Sequence, residues 1–144
     1  MEAMLKTSLE LLAYVGVGIA LMMIGSFLID LIIPLEFPKE IKENNKAVGW
    51  LVAGIYIGLG LIIKSSVSTF TVAIEKVSLK TGILETVFFS FIGILFFGIA
   101  YYLLDLANVK YKFNEELRNK NEAMGIMLFG VFVGIGLIIS GVLQ

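Results

Sequence analysis

Four stretches of the chain are apolar almost without interruption: Leu11 to Ile33, Ala47 to Ile63, Val87 to Leu104 and Ala123 to Leu143. Only Ser26 and Asp30 break the first of them. A helix needs about 20 mostly apolar residues to cross a hydrocarbon layer. A membrane strand needs only about ten, with apolar and polar positions alternating. The pattern therefore predicts four transmembrane helices. The first stretch is too long for the core of a signal peptide, and no small-residue cleavage site follows it, so it reads as a span.

The segments between the spans carry the polar residues. Pro34 and Pro38 end the first helix, and the charged run from Pro34 to Asn45 reads as a loop. Asn44 or Asn45 suits the N-cap of the second helix. A second charged connection runs from Asn108 to Lys120. The middle connection is different, being rich in Ser and Thr. Its Val67, Phe70, Ile74 and Val77 fall at helical spacing, as in a short amphipathic helix lying on the membrane surface. These boundaries divide the chain into a hairpin over residues 1–66, a connector over 67–81 and a second hairpin over 82–144.

Composition strengthens the membrane reading. Of 144 residues 58% are hydrophobic, against about 45–50% in a soluble domain, and mean hydropathy is +0.96. A core of this size could not hide the excess, so the lipid bilayer must. Charged residues make up 16% and the net charge is −1, which gives no reason to expect a nucleic-acid partner. The absence of Cys and His excludes disulfides, zinc centres, iron–sulfur clusters and His-ligated haem. No cofactor or metal is expected. No nucleophile–base pair or phosphate loop is visible, so no catalytic residues are assigned and a non-enzymatic protein is expected.

The two halves repeat one another. At an offset of 75, Leu9, Glu10, Gly18, Ile19, Ile24, Leu28, Asp30 and Leu31 recur as Leu84, Glu85, Gly93, Ile94, Ile99, Leu103, Asp105 and Leu106. At an offset of 76, Asn45, Ala47, Gly49, Gly54, Gly58, Gly60, Leu61, Ile62 and Ile63 recur as Asn121, Ala123, Gly125, Gly130, Gly134, Gly136, Leu137, Ile138 and Ile139. Four glycines in identical register exceed what shared apolar bias would give. Each half has an even number of spans, so both enter the membrane in the same orientation. The expectation is an all-α integral membrane four-helix protein of two parallel tandem helical hairpins, related by a pseudo-twofold along the membrane normal.

The doubled Asn-x-Ala-x-Gly…Gly-Leu-Ile-Ile element, each copy behind a helix ending near Asp, resembles the bacterial family of domain of unknown function 350 (DUF350, UPF0719). The resemblance covers essentially the whole chain. It implies a small four-span inner-membrane protein with a doubled domain. No activity is established for such proteins. Their genes often lie near those of envelope-stress and membrane-organising proteins, which implies an accessory role in membrane maintenance. The resemblance supplies no catalytic residues.

The small residues fall on two faces of the second helix. At about 100° per residue, Ala47, Gly54 and Gly58 share one face, and Gly49, Ala53 and Gly60 share nearly the opposite one. The fourth helix repeats the first face as Ala123, Gly130, Gly134 and Gly141; its second face has Gly125 and Gly136 with Phe129 between. Small residues let helix backbones approach in lipid, so a helix with two such faces is expected between two neighbours. Those neighbours could lie within the bundle or in a second copy of the chain; the alternative is a discontinuous helix at a substrate site.

Asp30 and Asp105 close the first and third helices near the edge of the hydrocarbon layer. A carboxylate is disfavoured at a helix C-terminus, and the amides of Asn45 and Asn121, expected at the same depth, or the nearby Lys46 and Lys120 could offset this. The pair reads as caps tying each hairpin together, as ion- or proton-binding groups, since acids at membrane depth often mark pathways, or as a docking point for a partner. Glu10 and Glu85 read as structural charges at helix N-termini. Tyr101, Tyr102 and Trp50 fit an interfacial belt, Tyr56 a buried position, and Lys64 a snorkelling one.

Two functions fit these residues. One is an oligomeric accessory that organises the membrane with membrane-stress or membrane-organising proteins. The other is a small ion, proton or solute channel or transporter using Asp30 and Asp105. Lys39, Lys42, Lys46, Lys110, Lys112, Arg118 and Lys120 lie on one side, against Lys6, Lys64, Lys76 and Lys80 on the other. That bias puts the two charged connections in the cytoplasm and both termini outside.

Overall fold

The computed structural model describes residues 2–73, 78–108, 110 and 112–143. Its elements, in order, are α1 (Glu2–Ile32), α2 (Phe37–Lys42), α3 (Lys46–Ala73), α4 (Leu79–Ala107), α5 (Phe113–Arg118) and α6 (Glu122–Leu143). Four helices are long and apolar enough to cross a membrane, over Met4–Ile32, Lys46–Val67, Leu79–Ala107 and Glu122–Leu143. The chain is an all-helical, multi-pass membrane protein.

The element boundaries differ from those expected in three respects. α1 and α4 begin well before the apolar runs, at Glu2 and Leu79. Glu10 and Glu85 therefore lie inside helices and not at N-termini. The charged connections are not plain loops: each holds a six-residue helix, α2 or α5. Pro34 keeps the residue before it from continuing α1, whereas Pro38 sits in the first turn of α2, where its missing N–H costs nothing. Finally, α3 continues through the Ser/Thr-rich segment to Ala73. Ile74 and Val77 of the expected surface helix lie outside the described residues.

α3 is the centre of the bundle. It packs most extensively on α6 and also on α1 and α4, while α1 and α6 share little or no contact. Leu51, Ile55, Leu59 and Ile62, on one stripe of α3, are fully buried. Against them lie Ile29 of α1 and Ile33 just beyond its end, Ile94 and Phe97 of α4, and Leu128 and Phe132 of α6. Phe132 holds the centre of this core, with its ring 4.9 Å from that of Phe97 and 5.4 Å from that of Tyr101. Tyr101 is thus a core residue and not a belt residue, and its hydroxyl donates to Asn114 Oδ1 at 3.1 Å. Tyr102 and Trp50 are exposed, and so is Tyr56, which the sequence reading placed inside.

The α3–α6 contact is where the small faces meet, and it is not self-complementary. A Cβ at Gly54 would lie 2.7 Å from Phe129 Cα, and one at Gly136 would lie 2.5 Å from Gly58 Cα. A Cβ at Gly125 would collide with the Ala47 backbone. Ala47, Gly54 and Gly58 of α3 therefore meet Gly125, Phe129 and Gly136, which form the other face of α6. A half-turn about the membrane normal would instead bring Gly54 and Gly130 into one shared seam. A Cβ at Gly130, Gly134, Gly49 or Gly60 would meet nothing within 4 Å, and Ala123 is exposed. Those five expected packing residues lie on open flanks.

Candidate functional site

The polar residues at one end of the bundle form a platform built from α2, α5 and the turns beside them. The end of α1 sets it up. Asp30 falls in the last turn, where free carbonyls repel a carboxylate. Its Oδ1 accepts a hydrogen bond from the backbone N–H of Phe37 at 3.1 Å, the first residue of α2. Asp105 Oδ1 accepts from Phe113 N at 3.2 Å at the start of α5. The donors left free at the start of one helix thus satisfy the acid left at the end of another. The sequence reading had each Asp beside an Asn amide, and that pairing does not form. A backbone N–H at the start of a short helix is invisible when the segment is read as a loop.

The asparagines are engaged elsewhere. Asn45 Oδ1 accepts from Ala47 N at 3.1 Å and Val48 N at 3.3 Å, which makes it the N-cap of α3. Its Nδ2 donates to Glu40 Oε2 at 2.7 Å and to Leu117 O at 2.8 Å, the second bond crossing to the other hairpin. Asn121 caps α6 through Met124 N at 3.3 Å and donates to Glu116 Oε2 at 2.7 Å. Asn45 is buried, whereas Asn121 is exposed. The residue before each cap, Asn44 or Lys120, takes a left-handed conformation with φ of 56° or 59°.

Two further bonds tie the hairpins together at this end. Arg118 donates to Pro34 O at 2.7 Å and Lys120 Nζ to Glu43 O at 3.2 Å. Between α1, α2 and Arg118 lies an open cleft of about 660 Å³, bordered by Asp30, Pro34, Lys39, Glu40 and Arg118. Asp105 does not border it, so this cleft does not unite the two acids.

A second polar group lies on α4, near its start. Glu85 Oε2, Thr86 Oγ1 and Ser90 Oγ are buried with no hydrogen-bond partner among the described residues. Ser65 Oγ of α3 and Ser140 Oγ of α6 share a hydrogen bond. The sequence reading missed this group because Thr86 and Ser90 lie in or beside an apolar run. Their spacing of four was the available signal, since it puts both on one helix face with Glu85 beside them. Among the described residues no cluster of Asp, Glu, His or Cys could hold a metal ion.

Comparison with known proteins agrees with the architecture. The chain is similar to the UPF0719 transmembrane protein YshE of Bacillus subtilis (strain 168), with 21% identity over 131 residues, which cover 91% of this chain and 90% of that protein. No solved structure matches. Residues 3–143 match the family described as Domain of Unknown Function (DUF350). With four membrane-crossing helices and a match running nearly from end to end, this chain belongs to the DUF350 family.

Proposed function

We propose that the protein is a non-enzymatic, oligomeric accessory of the inner membrane, which presents its charged platform to membrane-organising or envelope-stress partners in the cytoplasm. The observation that carries this reading is the engagement of Asp30 and Asp105 by backbone N–H groups. Each acid is used to fix a short charged helix against the bundle. A fixed, mixed-charge surface tied across both hairpins suits docking more than conduction. The lysine and arginine bias supports the cytoplasmic placement of the platform. The open small faces of α3 and α6 support self-association. The test is the mass of the purified protein in lipid nanodiscs, with proton and potassium flux in liposomes. The expected result is a mass above one chain and flux equal to that of empty liposomes. A monomer with flux that depends on Asp30 or Asp105 would overturn the reading.

A second reading, a small proton or cation pathway, has one observation in its favour. Acids at membrane depth mark such pathways, and half-buried Glu85 has a buried Oε2 that, like the neighbouring Thr86 and Ser90 hydroxyls, has no hydrogen-bond partner among the described residues. On that reading flux is measurable and Glu85→Gln abolishes it while leaving the fold intact.

A further inference from the structure

The same residues occur in two environments, depending on which hairpin carries them. Ile94 of α4 is 2% exposed, whereas its counterpart at the offset of 75, Ile19 of α1, is 55% exposed. Gly54 is buried and Gly130 exposed; Asn45 is buried and Asn121 exposed. Each difference has the same origin. Ala47, Gly54 and Gly58 of the first hairpin are covered by the second hairpin, whereas Ala123 and Gly130 are exposed and a Cβ at Gly130 or Gly134 would meet nothing within 4 Å among the described residues. Conversely, Gly125 and Gly136 are seated on the first hairpin, while a Cβ at their counterparts Gly49 or Gly60 would meet nothing within 4 Å among the described residues.

A contact in which one face meets a different face is heterologous, and it leaves one unused copy of each face at the two ends. The outer helices repeat the pattern. Ile94 sits in the groove between α1 and α3, where its Cδ1 approaches Gly25 beside Leu59. The matching groove between α4 and α6 is an open apolar cleft of about 480 Å³ that Gly93, Ala100, Ile135, Ile138 and Ile139 help to line. At the offsets of 75 and 76 these positions correspond to Gly18, Gly25, Leu59, Ile62 and Ile63. Ile62 is fully buried, and its identical counterpart Ile138 is 70% exposed. The cleft and the side chain shaped to fill it are therefore both present, at opposite ends of the molecule.

Resting on the oligomeric reading above, we propose that the chain assembles head to tail with further copies of itself, and that the α3–α6 contact within the chain is the template for the contact between copies. Ile19 of one copy enters the α4–α6 cleft of the next. Gly49, Ala53 and Gly60 of the incoming α3 lie against Ala123, Gly130 and Gly134 of the receiving α6. The amide of Asn121, which corresponds to the one Asn45 donates to Leu117 O, faces Ile41 of the incoming copy, the counterpart of Leu117 and itself exposed. Both hairpins enter the membrane in one orientation, and so do all copies. Repetition closes into a ring where the rotation per step permits and otherwise extends as an array in the membrane plane.

The chain lacks cysteine, so disulfide trapping reads the contact directly. Ser65 and Ser140 touch through their hydroxyls within one chain. Ser65→Cys with Ser140→Cys is therefore the internal control and should close an intrachain disulfide. Their counterparts across the proposed junction are Gly141 and Lys64. Differently tagged chains carrying Lys64→Cys and Gly141→Cys, mixed in native membranes under mild oxidant, should give a mixed dimer. Neither variant alone should give one, and both substitutions in one chain should give a ladder. Gly134→Leu, at a position where an added Cβ would meet nothing within 4 Å among the described residues, should cut the mixed dimer about tenfold. Gly16→Leu, equally unobstructed but off the proposed face, should not. Self-linking of either single variant as strong as the mixed link would mean a symmetric contact and overturn the proposal. So would a closed control with no mixed link: if the nanodisc mass still exceeds one chain, only the head-to-tail geometry falls. A mass of one chain, with the cleft occupied by lipid, removes the oligomeric reading as well.

Discussion

Leucine at Gly54 and leucine at Gly130 are the same substitution at equivalent points of two similar helices, yet they should behave differently. The loss or gain of helix propensity is common to both and cancels in the comparison. What remains is packing. A Cβ at Gly54 would stand 2.7 Å from Phe129 Cα, 2.9 Å from its carbonyl oxygen and 3.2 Å from its carbonyl carbon. Carbon atoms in contact sit about 3.5–4.0 Å apart, so the first added atom already demands a shift of about 1 Å, and the three beyond it demand more. The obstacle is backbone, which no rotamer change can clear. Overpacking of a well-packed contact costs about 1–3 kcal/mol, and an unyielding partner puts Gly54→Leu at about 3 kcal/mol. A Cβ at Gly130 would meet nothing within 4 Å among the described residues, and Gly130 is exposed, so Gly130→Leu should cost the single chain less than about 0.5 kcal/mol. At this size 1 kcal/mol moves the melting point by about 2–4 °C, so the two variants should differ by roughly 6–12 °C. The assay is thermal melting in a detergent that keeps the protein monomeric. Equal melting points for the two variants, high or low, would refute the packing described.

The remaining predictions concern the platform and the orientation. Asp30→Asn retains an acceptor for Phe37 N and should be mild, whereas Asp30→Leu should cost about 1–2 kcal/mol by stripping that N–H of its partner. Faster amide exchange at Phe37 in the Leu variant alone checks this, and no change there sinks it. Asn45→Ala should destabilise by about 2–3 kcal/mol and Asn121→Ala by about 1 kcal/mol, because only the first leaves buried groups unpaired; chemical unfolding of both reads the ranking. Lys120→Gly removes a non-glycine left-handed residue but also the bond to Glu43 O, and these should nearly cancel, within about 1 kcal/mol, in the same unfolding measurement. A periplasmic-type phosphatase fused after Gln144 should be active, and a fluorescent reporter active only in the cytoplasm should be dark. The opposite pair of outcomes would reverse the orientation.

What the sequence revealed and what it hid have a common physical basis. The spans were legible because hydrophobic length is a property of consecutive residues, and Leu11 to Ile33 carries it alone. The glycine faces were legible because helical periodicity is fixed. Which face of α3 meets which face of α6 was not legible, since Gly54 and Gly130 are identical in sequence and differ only in what the fold brings to them. The same holds for Asp30. Its charge and its place at a helix end announced an unsatisfied group, but its partner is the amide of Phe37, in a segment whose prolines and charges read as loop. Glu85 was misplaced for another reason: Leu79 to Thr86 is too polar to count as a span on hydropathy, yet it continues the same helix.

The range of the platform's hydrogen bonds implies an order of assembly. The bonds from Phe37 to Asp30 and from Asn45 to Glu40 join residues seven and five apart, and those from Phe113 to Asp105 and from Asn121 to Glu116 join residues eight and five apart. The bonds between hairpins, from Asn45 to Leu117, Arg118 to Pro34 and Lys120 to Glu43, span 72, 84 and 77 residues. Closing a short loop is fast and loses little chain entropy. The first hairpin can therefore set its turn while the ribosome is still making α4. Insertion and turn formation then belong to synthesis, whereas the α3–α6 seam must wait for the last helix, whose release from the translocation machinery becomes the step at which the molecule acquires its core.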